Sequence, residues 1–447
     1  MNRIVTPSAL LAALVGTGLW LSSFVTVSAD ETRPAALGAE ATGSIPEPFI
    51  PVPRAIAPLD RDPAHPHYAE GVGLLSAGDL PGARMELREA LRLRPDLVQA
   101  RFSLGTALYL SGDVDSAIEA YRTVIRLQPD LAHVHLHLGI ALMVKHEWPS
   151  AQSALEKAVS LNPDSVPAHY NLGLVRYRLG DRRGAVEAYR ETLRLRPDHA
   201  DAHYHLGLSL KLGKQEAEAT QEFLAASRGG VPQAQYFAGV AYASGLGVAR
   251  DLPAAIAWWF LAANQEVPQA QEALAHLRQM TLTTGKRSAG EARVVQDAFA
   301  AFRRSLWQQV SDLKGRAPDE SVGVALLQSG RWQEAVPVLL HEASALSEEA
   351  QTQLEVLYAN GLEGQLPPHD GRMLEYFKAA AGEGLPYPRV ILARIYARGL
   401  GVPADPTKAR GLLKGNSRED AQALAKELSA ATKGAAAPRP AAKSGSH

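Results

Sequence analysis

The chain has 447 residues, with 46 Lys and Arg against 47 Asp and Glu, a net charge of −1 and a pI near 6.9. Such a balance gives no overall field to draw nucleic acid or an anionic membrane, and no nucleic acid is expected as a partner. There is no cysteine, which removes disulfides, cysteine nucleophiles and thiolate metal sites together.

Met1-Asn2-Arg3 gives a short positive start, and Ala9 to Val27 is apolar, with Leu10, Leu11, Leu14, Leu19, Trp20, Leu21 and Phe24. Val27-Ser28-Ala29 then places small residues in an A-x-A-like arrangement. Residues 1–29 therefore read as a bacterial secretory signal cleaved after Ala29. An uncleaved anchor is the alternative, because the run approaches the ~20 apolar residues that span a bilayer. The remainder is expected to be periplasmic or secreted, held at the inner membrane only if the signal stays, and at most peripheral to a membrane once it is removed. Residues 30–65 carry Pro34, Pro46, Pro48, Pro51, Pro53, Pro58 and Pro63 with few large apolar side chains, the composition of a disordered linker.

From there the chain matches itself at a shift of 34 residues. Pro95, Pro129, Pro163 and Pro197 keep this step, and each is followed by an aspartate: Asp96, Asp130, Asp164 and Asp198. Gly71, Gly105, Gly139, Gly173 and Gly207 keep it too, as do Ala83, Ala117, Ala151, Ala185 and Ala219. Small residues at fixed places suit two helices crossing closely. Leu104, Leu138, Leu172 and Leu206, each before a glycine, are expected in the seam between repeats. Proline stops a second helix, and the aspartate after it is expected to cap the next one. "SGD" at 111–113 and "LGD" at 179–181 read as turns within hairpins.

The stretch AHYNLGLVRYRLGDRRGAVEAYRETLRLRPD, residues 168–198, closely resembles the tetratricopeptide repeat (TPR), present in five copies over 66–229. The resemblance implies an all-α fold, a right-handed α-solenoid of helical hairpins whose first helices line a binding groove. AQYFAGVAYASGLGVARDLPAAIAWWFLAANQ, residues 234–265, resembles the Sel1-like repeat through Tyr242, Gly245, Gly247, Asp251, Ala255, Trp258, Ala262 and Ala263. Further copies are read at 354–384, around Tyr358, Gly361, Asp370, Tyr376 and Ala380, and at 392–413, around Tyr396, Gly399, Gly401, Asp405 and Ala409. Residues 323–340 look like a degenerate repeat hairpin, and 289–314 like one amphipathic helix. The expected organisation is a signal at 1–29, a linker at 30–65, the TPR array at 66–229 and a Sel1-like repeat at 230–280. A connecting helix follows at 281–318, then the degenerate hairpin with Sel1-like repeats at 319–431, and a disordered tail at 432–447. The whole resembles secreted bacterial proteins of this kind.

"LAHVHLHLG" at 131–139 places His133, His135 and His137 within five positions. His135, His169 and His203 share one repeat slot, and His137 and His205 share another with Ser103 and Asn171. His133 and His137 lie on one helical face, as do His199 and His203, but two histidines fall short of the three or four ligands of a stable zinc site. No metal and no cofactor is expected.

In the TPR family the slot of Ser103, His137, Asn171 and His205 implies a polar ladder facing the groove, able to bond a bound peptide's backbone. By the same resemblance Tyr68, Phe102, Tyr170 and Tyr204 stand beside it, with Tyr109, Met143 and Tyr177 one turn on. Such a groove suits a protein or peptide partner. The basic and asparagine clamp of the chaperone-binding subfamily is absent, since its slots hold Tyr170 and Leu174, or Tyr204 and Leu208. Of the paired Trp258 and Trp259, the Sel1 pattern accounts for the first, and the second is expected to be an exposed anchor.

Chemistry-bearing motifs are missing. "MTLTTGKRS" at 280–288 lacks the first glycine of a phosphate loop, and Arg287 replaces its hydroxyl residue. "HEASA" at 341–345 lacks the second histidine of a zinc protease. No catalytic residue is assigned. The favoured reading is a non-catalytic periplasmic scaffold, in envelope assembly, exopolysaccharide export or signalling. The alternatives are a targeting or regulatory subunit of an envelope enzyme, for glycosyl transfer or cell-wall metabolism, and a weak histidine-dependent metal binder. The sequence does not specify an oligomeric state.

Overall fold

The computed structural model describes residues 62–282, 288–307 and 321–435, and every regular element among them is helical apart from one isolated bridge between Leu362 and Leu366. The expected signal 1–29 and nearly all of the linker 30–65 lie outside the described residues, as do 283–287, 308–320 and the tail beyond 435. Two limits move. The first helix already begins at Ala64, and the last runs to Ala435, past the expected start of the tail.

The described chain falls into two compact units that meet between Ala234 and Gln235. The first unit is five hairpins: α1 (Ala64–Ser76) with α2 (Leu80–Leu93), α3 (Val98–Leu110) with α4 (Val114–Leu127), α5 (Ala132–Val144) with α6 (Trp148–Leu161), α7 (Val166–Arg178) with α8 (Arg182–Leu195), and α9 (Ala200–Leu212) with α10 (Glu216–Arg228). Each hairpin closes on its glycine. A Cβ added at Gly71, Gly105, Gly139, Gly173 or Gly207 would come within 2.5–2.8 Å of Leu87, Tyr121, Leu155, Tyr189 or Phe223, each fully buried or nearly so. The glycine admits a large side chain from the second helix into the crossing, and that side chain is the hairpin's core.

The caps differ from the expectation. Asp96, Asp130 and Asp164 stay exposed, and the caps of the following helices are Leu97, Leu131 and Ser165. Only Ser165 accepts an N–H with its hydroxyl, while His199 accepts one at Nδ1 before α9. Instead the aspartates of the turns inside the hairpins cap. Asp79 accepts from Gly82 N at 3.0 Å, Asp113 from Ser116 N at 3.3 Å and Asp181 from Gly184 N at 2.9 Å.

The second unit continues α11 (Pro232–Ser244) from Gln235 and adds α12 (Leu252–Asn264), α13 (Pro268–Met280), α14 (Ser288–Trp307), α15 (Val322–Gln328), α16 (Trp332–Ser344), α17 (Glu348–Asn360), α18 (Gly371–Gly382), α19 (Pro386–Arg398), α20 (Pro406–Leu413) and α21 (Glu419–Ala435). Here a Cβ on Gly239 would meet Trp259 at 2.4 Å, and one on Gly323 would meet Leu339 at 2.5 Å. Trp259 is therefore not an exposed anchor. It is 6% exposed, fills the crossing opposite Gly239, and donates its indole N–H to Tyr236 O at 3.2 Å. Trp258 is buried as well. Phe302 of α14 stacks on Phe260 with centroids 5.0 Å apart, so α14 belongs to the core of this unit.

Candidate partner-binding face of the repeat array

The three histidines of "LAHVHLHLG" do three different structural jobs. A backbone carbonyl can only accept, so the Nε2–H of His135 donates to Pro129 O at 2.8 Å. The same bond recurs between His169 and Pro163 O at 2.8 Å and between His203 and Pro197 O at 3.0 Å, and Arg101 takes the slot with a bond to Pro95 O. This slot ties each first helix to the end of the helix before it. His203 also meets Glu222 through Nδ1 at 2.6 Å, so both ring nitrogens face acceptors and the carboxylate raises its pKa.

His133 and His137 both approach Phe102 of the preceding repeat edge-on, with centroids 4.9 and 5.0 Å away. Two repeats later Tyr170 is also flanked by two histidines, but tilted rather than edge-on, with His199 at 4.8 Å and His205 at 6.0 Å, and His205 stacks on Tyr189. Burial disfavours the charged imidazolium and depresses all four, pushing His205 down to about 4. Among the described residues no group of three or more His, Asp or Glu is placed to hold a metal ion.

The expected polar ladder is buried at two of its four positions. Ser103 is 2% exposed and lies against the Tyr68 phenol. His205 is 9% exposed between Tyr170 and Tyr189. His137 and Asn171 are half-buried. His137 donates from Nδ1 to His133 O at 2.7 Å, and Asn171 from Nδ2 to Pro167 O at 2.8 Å, each to the carbonyl one turn back in its own helix.

The residues beside it form a mainly apolar stripe at i, i+4 and i+7 of each first helix. Its members are Tyr68, Val72 and Leu75; Phe102, Thr106 and Tyr109; Leu136, Ile140 and Met143; Tyr170, Leu174 and Tyr177; and Tyr204, Leu208 and Lys211. Tyr68, Phe102, Leu136, Tyr170 and Met143 are buried, and form the base of the stripe. Tyr109, Tyr177 and Tyr204 are half-buried, and desolvation raises the phenols of Tyr109 and Tyr177. Ile140, Leu174 and Leu208 are half-buried too and were not among the expected residues. Each directly follows a repeat glycine, so the 34-residue step already marked them.

Residues 68–132, 136–181 and 172–230 match the family model for the tetratricopeptide repeat, and residues 232–267 and 391–414 match that for the Sel1 repeat. Comparison with curated proteins finds no match. Among solved structures, MamA is similar at 29% identity over 37% of this chain and 97% of its own, with a TM-score of 0.35. YrrB, described as a TPR protein with an unusual peptide-binding site, is 21% identical over 37% of this chain and 86% of its own, at 0.35. PilF of Pseudomonas aeruginosa is 21% identical over 48% of this chain and 97% of its own, at 0.43. Arrays of such repeats build extended surfaces for contact between proteins. The chain is thus built in part from tetratricopeptide repeats, with Sel1 repeats after them.

Proposed function

We propose that this protein is an adaptor outside the cytoplasm that holds a segment of a partner protein on the first-helix face of its TPR array, in envelope assembly, exopolysaccharide export or signalling. The carrying observation is the stripe that runs through half-buried Tyr109, Tyr177 and Tyr204 beside a polar slot in which His137 and Asn171 bond within their own helices. Such a face recognises apolar side chains, so the partner segment presents apolar anchors rather than a bare backbone edge. The apolar run from Ala9 to Val27 supports export.

The test is affinity capture from envelope extract with the wild-type chain beside Tyr109→Ala/Tyr177→Ala. Neither tyrosine is a core side chain, so the variant keeps its melting temperature within a few degrees. A partner retained by the wild type and lost by the variant supports the reading. A partner held equally by both removes this face from the function.

A further inference from the structure

The hairpin turns of the first unit change character along the array. Over 76–81 and 110–115 the charged side chains are Asp79, Asp113 and Asp115. Over 144–149, 178–183 and 212–217 they are Lys145, Arg178, Arg182, Arg183 and Lys214 against Glu147, Asp181 and Glu216. Asp181 is engaged in capping α8, and Lys145 pairs with Asp115 at 3.0 Å. Between the cations stand Val144, Leu179 and Leu212, which are 48, 41 and 50% exposed and about one repeat apart.

These turns form one edge. Lys145 reaches back to Asp115 of the turn before, and the Arg178 guanidinium lies 5.5 Å from the centre of the Trp148 ring in the turn before it. The first helices α5, α7 and α9 also pack side by side, so their C-terminal ends line up. The whole chain is nearly neutral, so this cationic character is local.

We infer that this edge rests on a membrane surface of anionic lipid headgroups, with its cations at the phosphate level and Val144, Leu179 and Leu212 in the shallow apolar layer beneath. An acidic protein segment would share the charge, but Val144, Leu179 and Leu212 stand exposed between the cations, and an acidic chain would leave them unmatched. Apolar tips alternating with Arg and Lys, beside an indole that carries a cation on its face, are the chemistry of the bilayer interface. Contact through helix ends leaves the sides of the same helices, with the partner-binding stripe, uncovered.

Because the chain has no cysteine, a single one can be labelled. Full-length Leu212→Cys carrying a polarity-sensitive fluorophore is mixed with vesicles of equal parts phosphatidylcholine and phosphatidylglycerol, and Met85→Cys, on the outer side of α2, is the control. The label reports contact of the edge itself even where the apolar stretch 9–27 holds the chain to the vesicle. A blue shift is expected at 212 and none at 85, with none at either from phosphatidylcholine alone. Adding Arg182→Glu/Lys214→Glu lowers the vesicle affinity read from the shift by more than about twenty-fold, since each cation near an anionic surface contributes roughly fivefold. No shift at 212, or an equal shift at 85, overturns the inference. A shift produced equally by a soluble acidic amphipathic peptide without vesicles also overturns it and assigns the edge to a protein.

Discussion

The two units close the same kind of hairpin by different means. In the first, a short turn is capped by its own aspartate, and glycine and its large partner stand sixteen residues apart, as in Gly71 and Leu87. In the second, Gly323 and Leu339 keep that step, but Gly239 and Trp259 stand twenty apart, and the longer loops are tied back to the helices they leave. Asp251 N donates to Tyr242 O at 2.9 Å, His369 N to Tyr358 O at 2.7 Å and Asp405 N to Tyr396 O at 2.8 Å. The polar interiors differ as well. Four histidines of the first unit pack against aromatic rings, whereas the second sets one, His341, against Phe260 and adds buried and partly buried charged groups. Arg278 grips Glu383 with two bonds of 2.6 Å, and Glu342 caps α15 from α16. A longer loop needs anchors from elsewhere in the unit, and buried charge supplies strong ones at the cost of desolvation.

Removing such an anchor gives the largest expected effect. Glu342 accepts from the Ser321 hydroxyl, from Val322 N at 2.7 Å and from Gly323 N at 3.0 Å, all buried. Glu342→Ala leaves three donors without their acceptor, and should cost the second unit about 4 kcal/mol. Denaturant melts followed by a probe in each unit check this. A loss below about 1 kcal/mol would mean that water or a neighbouring carboxylate replaces the cap.

The crossings come next. Gly239→Ala drives a Cβ to 2.4 Å from the Trp259 ring, whose N–H is bonded to Tyr236 O and resists moving. A loss of about 3 kcal/mol is expected. Gly139→Ala meets the branched end of Leu155 at 2.6 Å, which can shift, and should lose about 1 kcal/mol. Equal losses would show that the aromatic partner does not set the rigidity of the Sel1 crossing.

Acid should then drive the units apart. His205 is held neutral in the fold, with its pKa pushed down to about 4 from 6.5. The unfolded chain takes up a proton below 6.5 and the folded one does not, so stability present above that value is lost as pH falls toward 4. This is about 2 kcal/mol by pH ~5. His133, His137 and His199 add in the same direction. His203 opposes them, because Glu222 raises its pKa and its contribution fades only as pH rises. In the second unit burial raises Glu342, which gains on acidification, and depresses His341, which loses, so the two shifts oppose each other. His205→Asn, which borrows the occupant of the same slot in the preceding repeat, should flatten the acid loss of the first unit and leave the second unchanged. An unaltered pH profile would sink the assignment.

The hairpins were legible because the 34-residue step repeats glycine, alanine and proline, whose roles depend on backbone geometry alone. The direction of the polar slot was not, because Ser103, His137, Asn171 and His205 differ in size and in burial, and only packing against Phe102, Tyr121, Tyr170 and Tyr189 shows His137 and His205 turned toward aromatic rings. Asp96 and its equivalents were misread for a related reason. An aspartate after proline has the right chemistry for a cap but stands one residue too early. Trp259 was misplaced because its partner glycine lies twenty residues away rather than sixteen.

The smallest effect tests the turns themselves. Gly78-Asp79, Gly112-Asp113 and Gly180-Asp181 pair a left-handed glycine, at φ 81–83°, with a capping aspartate. The third and fifth hairpins hold His146-Glu147 and Lys214-Gln215 there, with His146 at φ 58° and Lys214 at φ 60°, and neither Glu147 nor Gln215 caps through its side chain. An L side chain strains that backbone and the cap is lost, while glycine gives back part of the gain through unfolded-state entropy. Lys214→Gly/Gln215→Asp should therefore stabilise the first unit by about 1 kcal/mol, and His146→Gly/Glu147→Asp by somewhat less, because the latter gives up the contact between His146 and Trp148. If neither pair stabilises, the short turns of the first unit are fixed by helix packing, and the contrast with the anchored loops of the second reduces to loop length.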